Sequence, residues 1–470
     1  MTRGTQRNFS RRRLLQGFGA TSAAWLLRDL FPAVAQAEGF DPMTAPILLV
    51  CTFEGGWDQM LALDPRDALK FDGSGKIDPA YNLVAGSDLS VSQALAQTGG
   101  RGTITPAGSN ITFGPAIGTL QEQFEDLCVI RGVNMGTLTH EVGRRYLLTG
   151  KFPRGLAANG SSLTTWHAHN TGDLSPIPNL VVGGEAYNEG LDNFATALKI
   201  QSSTDLLTVL SAIGEPLSPE SSAAVSDYLW SDSCSDLLYD GNEMVTTFLD
   251  SRSKALTLAS GDLAQHFAFS NNPPPTMQAL YSAFGLSGGG INQALNGATG
   301  QAMLAAQAIS QGVSQAVSVR LATGIDHHDD SYQTDHAPAL REGFDALSNL
   351  IAYLKNTPDA NGAPCWDRTT VLVTSDFART PGINGRGGRD HHLASSCLLA
   401  GRGIRGNQVI GATDDVEMAA QRINASTGQV DAEGVEIRPP DIHATLLQAM
   451  GLSYDHISNQ DPVLLESALA

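Results

Sequence analysis

The chain contains short, continuous apolar runs that each stop abruptly at a polar residue or a glycine. Five such runs cover residues 46–53, 127–130, 316–323, 369–374 and 396–400. Apolar runs of this length, without alternating polar positions, suit strands that are buried on both faces, as in a parallel sheet. The runs therefore predict a buried, mostly parallel central sheet.

Helical patterns separate these predicted strands. Apolar residues recur at helical spacing from Leu340 to Leu354, between two of the runs, which predicts a βαβ unit. A further helix is predicted near the end of the chain, with Asp441 as its N-cap. The predicted fold class is therefore α/β, a doubly wound, mostly parallel sheet flanked by helices. The segment from about 202 to 301, rich in Ser, Ala and Gly, is interpreted as a helical and loop insertion.

The first 37 residues have the layout of a removable export signal. Arginines at 11–13 precede a modestly apolar run at 14–27, and Ala35-Gln36-Ala37 offers a cleavage site between small residues. The paired arginines indicate the twin-arginine route. We therefore expect contact with the twin-arginine translocase during export, and a periplasmic or secreted mature protein spanning residues 38–470.

The composition is acidic, and this excludes some partners. The net charge is −19, and loss of the first 37 residues, with six arginines and one aspartate, would take it to −24. Such a surface repels nucleic-acid phosphates and anionic lipid, so neither is expected as a main partner. No later segment has the roughly 20 apolar residues that a membrane span needs, so no stable span is expected. A small anionic substrate would need local positive charge.

Three of the predicted strands are followed by an aspartate, at Asp58, Asp326 and Asp376. Ligands of open α/β sheets bind beyond the carboxyl ends of the strands. Two histidine pairs lie nearby in the sequence, His327-His328 and His391-His392. Carboxylates and neutral imidazoles are common ligands of divalent metals. The pattern predicts one or two divalent ions, with Zn, Mg, Mn and Ca as the candidates.

The segment after the second predicted strand supplies a candidate nucleophile. Thr139 is the first choice and Thr137 the second, because a hydroxyl that faces a metal loses its proton easily and attacks a phosphorus or sulfur centre. Arg144, Arg145 and Arg379 are candidates to hold the oxygens of a tetrahedral anion, since a guanidinium offers a planar fork of donors. Surface ion pairing is the alternative role for these arginines.

Together these motifs resemble the domain of unknown function 1501 family, a group of bacterial exported proteins within the alkaline-phosphatase-like superfamily. In chain order, the resemblance is carried by Gly55-Gly56-Trp57-Asp58, Thr139-His140, Gly324-Ile325-Asp326-His327-His328, Ser375-Asp376-Phe377-Ala378-Arg379-Thr380 and Gly388-Arg389-Asp390-His391-His392. The resemblance implies an alkaline-phosphatase-like fold with two adjacent metals.

The resemblance also implies a distribution of ligands between the two metals. One metal would face Asp58, Thr139 and Asp376. The other would face Asp326, His328 and His391, with His327 and His392 as rivals for the histidine places.

Two departures from the superfamily pattern bear on the number of metals. The superfamily usually has Asp-His where this chain has Asp376-Phe377, and it spaces a second Asp and His as D-x-x-x-H where this chain has Asp326-His327-His328. The number of metal ions, one or two, therefore remains open. The chain also lacks the C/S-x-P-x-R motif of formylglycine sulfatases at Thr139–Gly143, which disfavours that chemistry.

These observations favour an exported, metal-dependent hydrolase of phosphate or sulfate esters with a threonine nucleophile. A non-catalytic envelope or surface protein that retains the fold is the main alternative, favoured by the missing histidine after Asp376. A transferase that passes the group to a second substrate is a third.

Overall fold

A computed structural model describes residues 40–210, 262–286 and 291–470 apart from Met43, together with residues 218, 220, 221 and 224. The predicted signal at 1–37 therefore lies outside the described residues, as does much of the predicted insertion.

The centre of the described structure is a twisted sheet of eight strands, in the order β10-β2-β9-β6-β1-β5-β3-β4, beside a separate two-stranded ribbon of β7 and β8. Neighbouring strands of the large sheet run parallel, except that β9 is antiparallel to both β2 and β6. The predicted mostly parallel sheet is thus confirmed. The strands are β1 (Ile47–Phe53), β2 (Leu127–Asn134), β3 (Asn179–Val182), β4 (Leu198–Ile200), β5 (Ala316–Ala322), β6 (Thr369–Ser375), β7 (Ala378–Arg379), β8 (His391–His392), β9 (Ala394–Gly401) and β10 (Gln408–Ile410).

Among the described residues, α-helices separate β1 from β2, β2 from β3, β4 from β5 and β5 from β6, whereas none lies between β6 and β10. The helices are α1 (Tyr81–Val84), α2 (Leu89–Gln97), α3 (His140–Thr149), α4 (Leu163–Thr171), α5 (Ser203–Leu210), α6 (Gln278–Ala283), α7 (Ile291–Ala294), α8 (Ala298–Ser310), α9 (Ala337–Asn356) and α10 (Pro439–Ala449). In the part of the chain that the structure describes, no helix is long and apolar enough to cross a membrane.

Successive residues of β1 point into two different cores, because side chains alternate between the faces of a strand. Leu49 lies in the core that contains Phe344 of α9. Val50 lies in the opposite core, with Leu147 of α3 and Leu446 of α10. Helices therefore cover both faces of the sheet, as the doubly wound class requires.

The two helices predicted from spacing are present at α9 and α10. Asp441, however, is not the N-cap of α10, because the helix begins two residues earlier at Pro439 and Arg438 takes the cap position. The carboxylate of Asp441 instead accepts a hydrogen bond of 2.7 Å from the backbone N–H of Arg438. The prolines fit the first turn because their missing N–H groups have no partner there in any helix.

Candidate metal centre

Four side chains from three separate segments converge beyond the carboxyl ends of the strands. The Nε2 atom of His391 lies 3.1 Å from Nε2 of His140, 2.9 Å from Nε2 of His328 and 3.2 Å from Oδ1 of Asp326. The same Asp326 oxygen lies 3.2 Å from His140 and 3.0 Å from His328. Three imidazoles and one carboxylate therefore face a common point.

The topology of the sheet explains this convergence. Asp326 and His328 follow β5, and His391 lies in β8, which the ribbon pairs with β7 beyond the end of β6. His140 is the first residue of α3, after β2. Parallel strands end at one edge of the sheet, so segments distant in sequence meet there.

Gly55 allows the loop after β1 to approach this point closely. Its φ is +120°, and a Cβ at this position would lie 2.8 Å from the backbone nitrogen of Asp326. A side chain would therefore push the β1 loop and the Asp326 segment apart. The N–H of Gly55 also donates to Oδ2 of Asp376 over 3.1 Å.

Each of the three histidines is fixed through its other ring nitrogen. Nδ1 of His140 lies 2.7 Å from Oδ2 of Asp376, and Nδ1 of His328 lies 2.7 Å from Oδ1 of Asp390. Nδ1 of His391 lies 2.7 Å from the carbonyl oxygen of Leu138. Because carbonyls and ionised carboxylates only accept hydrogen bonds, the ring proton of each imidazole, in the neutral form that a metal requires, is assigned to Nδ1. Each Nε2 then presents a lone pair to the common point.

Lone pairs held this close to one another need a cation or extra protons between them. Tetrahedral zinc with ligands at about 2.0–2.1 Å separates those ligands by about 3.3 Å, near the spacing seen for His140, Asp326 and His391. Burial lowers the pKa of His391, which favours the neutral form that a metal requires. The residues present therefore fit a divalent metal ion.

Arg379, predicted to bind a substrate anion, lies beneath the cluster instead. Its side chain is fully buried, and its donors are taken by the backbone carbonyls of Gly55, Gly56, Ile325 and Arg389 and by Asp326. Nη1 also lies 3.4 Å from Nε2 of His328. With its donors used in this way, Arg379 holds Asp326 in place, and its predicted contact with a substrate anion stays a prediction.

The charge of Arg379 also affects ionisation in the cluster. Partial burial opposes the shift, but the hydrogen bond and charge of Arg379 hold the pKa of Asp326 well below its usual range. Asp326 is therefore ionised throughout the physiological range, as a metal ligand must be.

Asp376, predicted as a metal ligand, is buried behind His140, where it contacts the ring nitrogen that faces away from the common point. Its Oδ2 atom contacts His140 and Gly55, and lies 3.8 Å from Nη1 of Arg144. The next residue, Phe377, packs its ring against both His140 and His391 at centroid distances of 4.5 Å. The resemblance implies a histidine ligand directly after this aspartate. This chain has Phe377 at that position, and the histidine that contacts Asp376 is His140.

Asp58 and His392, also predicted as ligands, are bonded elsewhere. Oδ2 of Asp58 is 2.8 Å from Nε of Arg389 and 2.6 Å from the hydroxyl of Tyr332, all three side chains being fully buried. His392 contacts the backbone carbonyls of Ala394 and Glu417. The polar atoms of both residues thus have partners within the protein, and their roles as metal ligands stay predictions. His327, a rival ligand, contacts His336 over 3.1 Å between Nδ1 atoms.

The predicted nucleophile Thr139 directly precedes α3, and the predicted anion-binding residue Arg144 lies within that helix. Thr139 is exposed and occupies the N-cap position, but its hydroxyl makes no capping hydrogen bond. Thr137 is half-buried and accepts a hydrogen bond from the N–H of Thr139. Arg144 lies 3.8 Å from both Asp376 and Glu185, whereas Arg145 bonds Glu185 more closely at 3.2 Å.

The sequence did not indicate His140, a member of the cluster, or Asp390, which contacts His328, as functional residues. His140 lies ten residues after the predicted strand at 127–130, whereas Asp326 and Asp376 each follow a predicted strand within three residues. Its one sequence signal was its place in the Thr139-His140 motif. No sequence signal links Asp390 to His328, 62 residues earlier.

Comparison with known proteins places these features in a family. Among solved structures, similarity is found to a 2-O GAG sulfatase, BT1596 (9% identity, TM-score 0.38, 90% of this chain and 73% of that chain). The lipoteichoic acid synthase LtaP from Listeria monocytogenes is also similar (10%, 0.35, 92% and 79%). A third is a protein in the alkaline phosphatase superfamily from Vibrio parahaemolyticus (13%, 0.32, 88% and 72%).

These structural likenesses are distant, so the functional proposal rests on the site's own side chains. The sequence matches none of the curated proteins compared with it. A family model, in contrast, matches residues 45–460, which is nearly the whole chain, and the protein therefore belongs to the family described as Protein of unknown function (DUF1501).

Proposed function

We propose that the protein is an exported, metal-dependent hydrolase of phosphate or sulfate esters. The observation that carries this proposal is the convergence of His140, Asp326 and His391, with the exposed residue Thr139 directly before His140 in the chain. His328 contacts the same cluster and is a further candidate ligand.

The donor set favours zinc or a similar transition metal over magnesium or calcium. Imidazole nitrogens suit Zn and its neighbours, whereas Mg and Ca prefer sites made of oxygen atoms. When bound, such an ion would polarise an ester oxygen and offset the charge that builds up on it during the reaction. The three histidines and Asp326 would hold it.

Thr139 is the proposed nucleophile because it is an exposed residue at the positive end of α3 and its hydroxyl makes no helix-capping hydrogen bond. Attack would form a bond between Oγ1 and the phosphorus or sulfur atom, while the hydroxyl proton passes to solvent. It would break the bond to the departing alcohol, whose oxygen takes up a proton from solvent. Water would then cleave the threonine ester, releasing phosphate or sulfate and restoring the hydroxyl.

Arg144 is the proposed binding group for the anion. It lies one helical turn after His140 on α3, and neither of its carboxylate neighbours is closer than 3.8 Å. A guanidinium that is loosely paired keeps donors available for the equatorial oxygens of a phosphoryl or sulfuryl group. Export through the predicted twin-arginine signal at residues 1–37 completes the proposal.

The test combines metal analysis with turnover. Protein exported natively should contain a transition metal, and should hydrolyse an aryl phosphate or an aryl sulfate. Thr139→Ala should abolish turnover and keep the metal, while Thr139→Ser should retain part of the turnover. A protein that binds no divalent metal, or a Thr139→Ala variant with full turnover, would contradict the proposal. A metal-loaded protein without turnover would favour the non-catalytic alternative.

A further inference from the structure

A narrow crevice enters the protein beside the metal centre, between one face of the sheet and the helices α3 and α4. One wall is formed by β1 and β6, and the other by α3 with Leu163 and Thr164 of α4. Asp376 and Arg144 belong both to the crevice and to the surroundings of His140. The crevice and the metal centre are therefore neighbours.

The sheet wall changes from apolar to charged along the strands. Val50 and Leu372 are paired in register at the deep end, and Thr52 and Thr374 are paired two residues further on. Glu54 and Asp376 follow after another two residues, at the mouth. Because side chains at every second position share one face of a strand, these levels line a single surface.

The helix wall shows the same gradient. His140, Arg144, Leu147 and Leu148 lie at spacings of four, seven and eight residues, which places them along one face of α3. His140 belongs to the cluster, Arg144 lies at the mouth, and the two leucines line the crevice. A path from the metal centre into the crevice thus passes a cation first and apolar side chains afterwards.

We propose that this crevice binds a slender apolar alcohol group of the ester substrate. The inference rests on the proposed function, since the anionic end would have to lie between the metal centre and Arg144. Glu54, Glu185 and Asp376 also lie at the mouth, and they are paired with Arg320, Arg145 and His140 in that order. The anionic end would therefore contact the metal and Arg144, and the chain would pass into levels that are apolar except for Ser318. The preferred substrates are then alkyl or similar esters with an extended apolar chain, rather than esters of sugars.

The test uses alkylphosphonates, which carry the anion and the chain but have no ester bond to cleave. Binding of methyl-, butyl- and hexylphosphonate to zinc-loaded protein is measured by titration calorimetry. Burial of each added methylene should tighten binding roughly two- to fourfold until the crevice is filled. Affinity that does not change with chain length would overturn the inference. If even methylphosphonate fails to bind, the proposed function itself fails, and the inference falls with it.

Two variants locate the binding site of the chain. Leu148→Trp and Gly184→Leu each add bulk at positions that line the crevice, and should remove the dependence of affinity on chain length. Leu89→Trp is the matched control, because Leu89 is 72% exposed on α2, and it should keep that dependence. A chain-length dependence that survives in both crevice variants would show that the chain binds elsewhere, and would equally overturn the inference.

Discussion

Nδ1 of His140 lies 2.7 Å from Oδ2 of Asp376, so a carboxylate at the end of β6 fixes the ring of a histidine at the start of α3. Asp390 holds His328 over the same distance. Partners of this kind orient a metal-binding imidazole and raise its basicity. The outer carboxylates are therefore part of the candidate site.

The first prediction concerns these outer carboxylates. Asp376→Asn and Asp390→Asn should each weaken zinc binding by about 10- to 100-fold, because the histidine loses its charged partner. Competition with a chromophoric chelator measures the affinity. Asp192→Asn is the matched control, since Asp192 holds His169 over 3.0 Å outside the cluster, and its zinc affinity should match that of the wild type. Equal affinities in all the variants would refute the role.

The second prediction separates two adjacent histidines. His391→Ala should lose most of the zinc affinity, because Nε2 of His391 faces Asp326 and His140. His392→Ala should keep it, because the nitrogens of His392 contact backbone carbonyls. Elemental analysis after dialysis gives the metal content of each variant. The opposite ranking would mean that β8 presents its other face to the metal.

The third prediction concerns the buried pair of Asp58 and Arg389. Asp58→Asn should lower the free energy of unfolding by about 3–5 kcal/mol, because it leaves the charge of Arg389 buried and unpaired. Urea denaturation gives the value. Glu417→Gln, which removes an exposed partner of Lys76, should cost less than about 1 kcal/mol. If Asp58→Asn kept its stability and lost its metal instead, Asp58 would be a ligand after all.

The fourth prediction concerns stability in mild acid. Burial lowers the pKa of His443 to about 4 and that of His167 to about 3. Both should bind protons near their usual pKa of about 6.5 when the chain unfolds, so the unfolded state takes up more protons below that pH. The free energy of unfolding should therefore be fully present above about pH 6.5, and should fall as the pH drops towards 4.

Urea denaturation between pH 7 and pH 4 checks this dependence. A His443→Gln variant should show a shallower fall over the same range, since one of the buried imidazoles is gone. A wild-type protein whose stability is flat across this range would contradict the assignment of neutral, buried histidines.

The fold was largely predictable because buried strands have a recognisable composition. The run at 369–374 corresponds to β6, and that at 396–400 to β9. The direction of β9 was not predictable, since a strand that is buried on both faces has the same composition in either orientation. The short strands β7 and β8 were missed because two residues carry no periodicity.

The location of the candidate site was predictable from the sequence, whereas the identity of the residues that form it was less so. Asp326 was chosen because it follows a predicted strand, whereas His328 and His391 were chosen from the family resemblance, and the structure brings the three together. The choice between His391 and His392 depends on register, because adjacent residues of a strand point to opposite faces. Asp58 also follows a strand, but its partner Arg389 lies more than 300 residues away, and sequence spacing contains no information about such a pair.

The ligand cluster draws on residues as far apart as His140 and His391, which are separated by 251 positions. Any fragment that contains the whole set must span residues 140–391, so the site can form only once β2, β5 and the β7–β8 ribbon have come together. A metal would then be acquired at the end of folding, and the compartment in which folding finishes would decide which metal the protein carries.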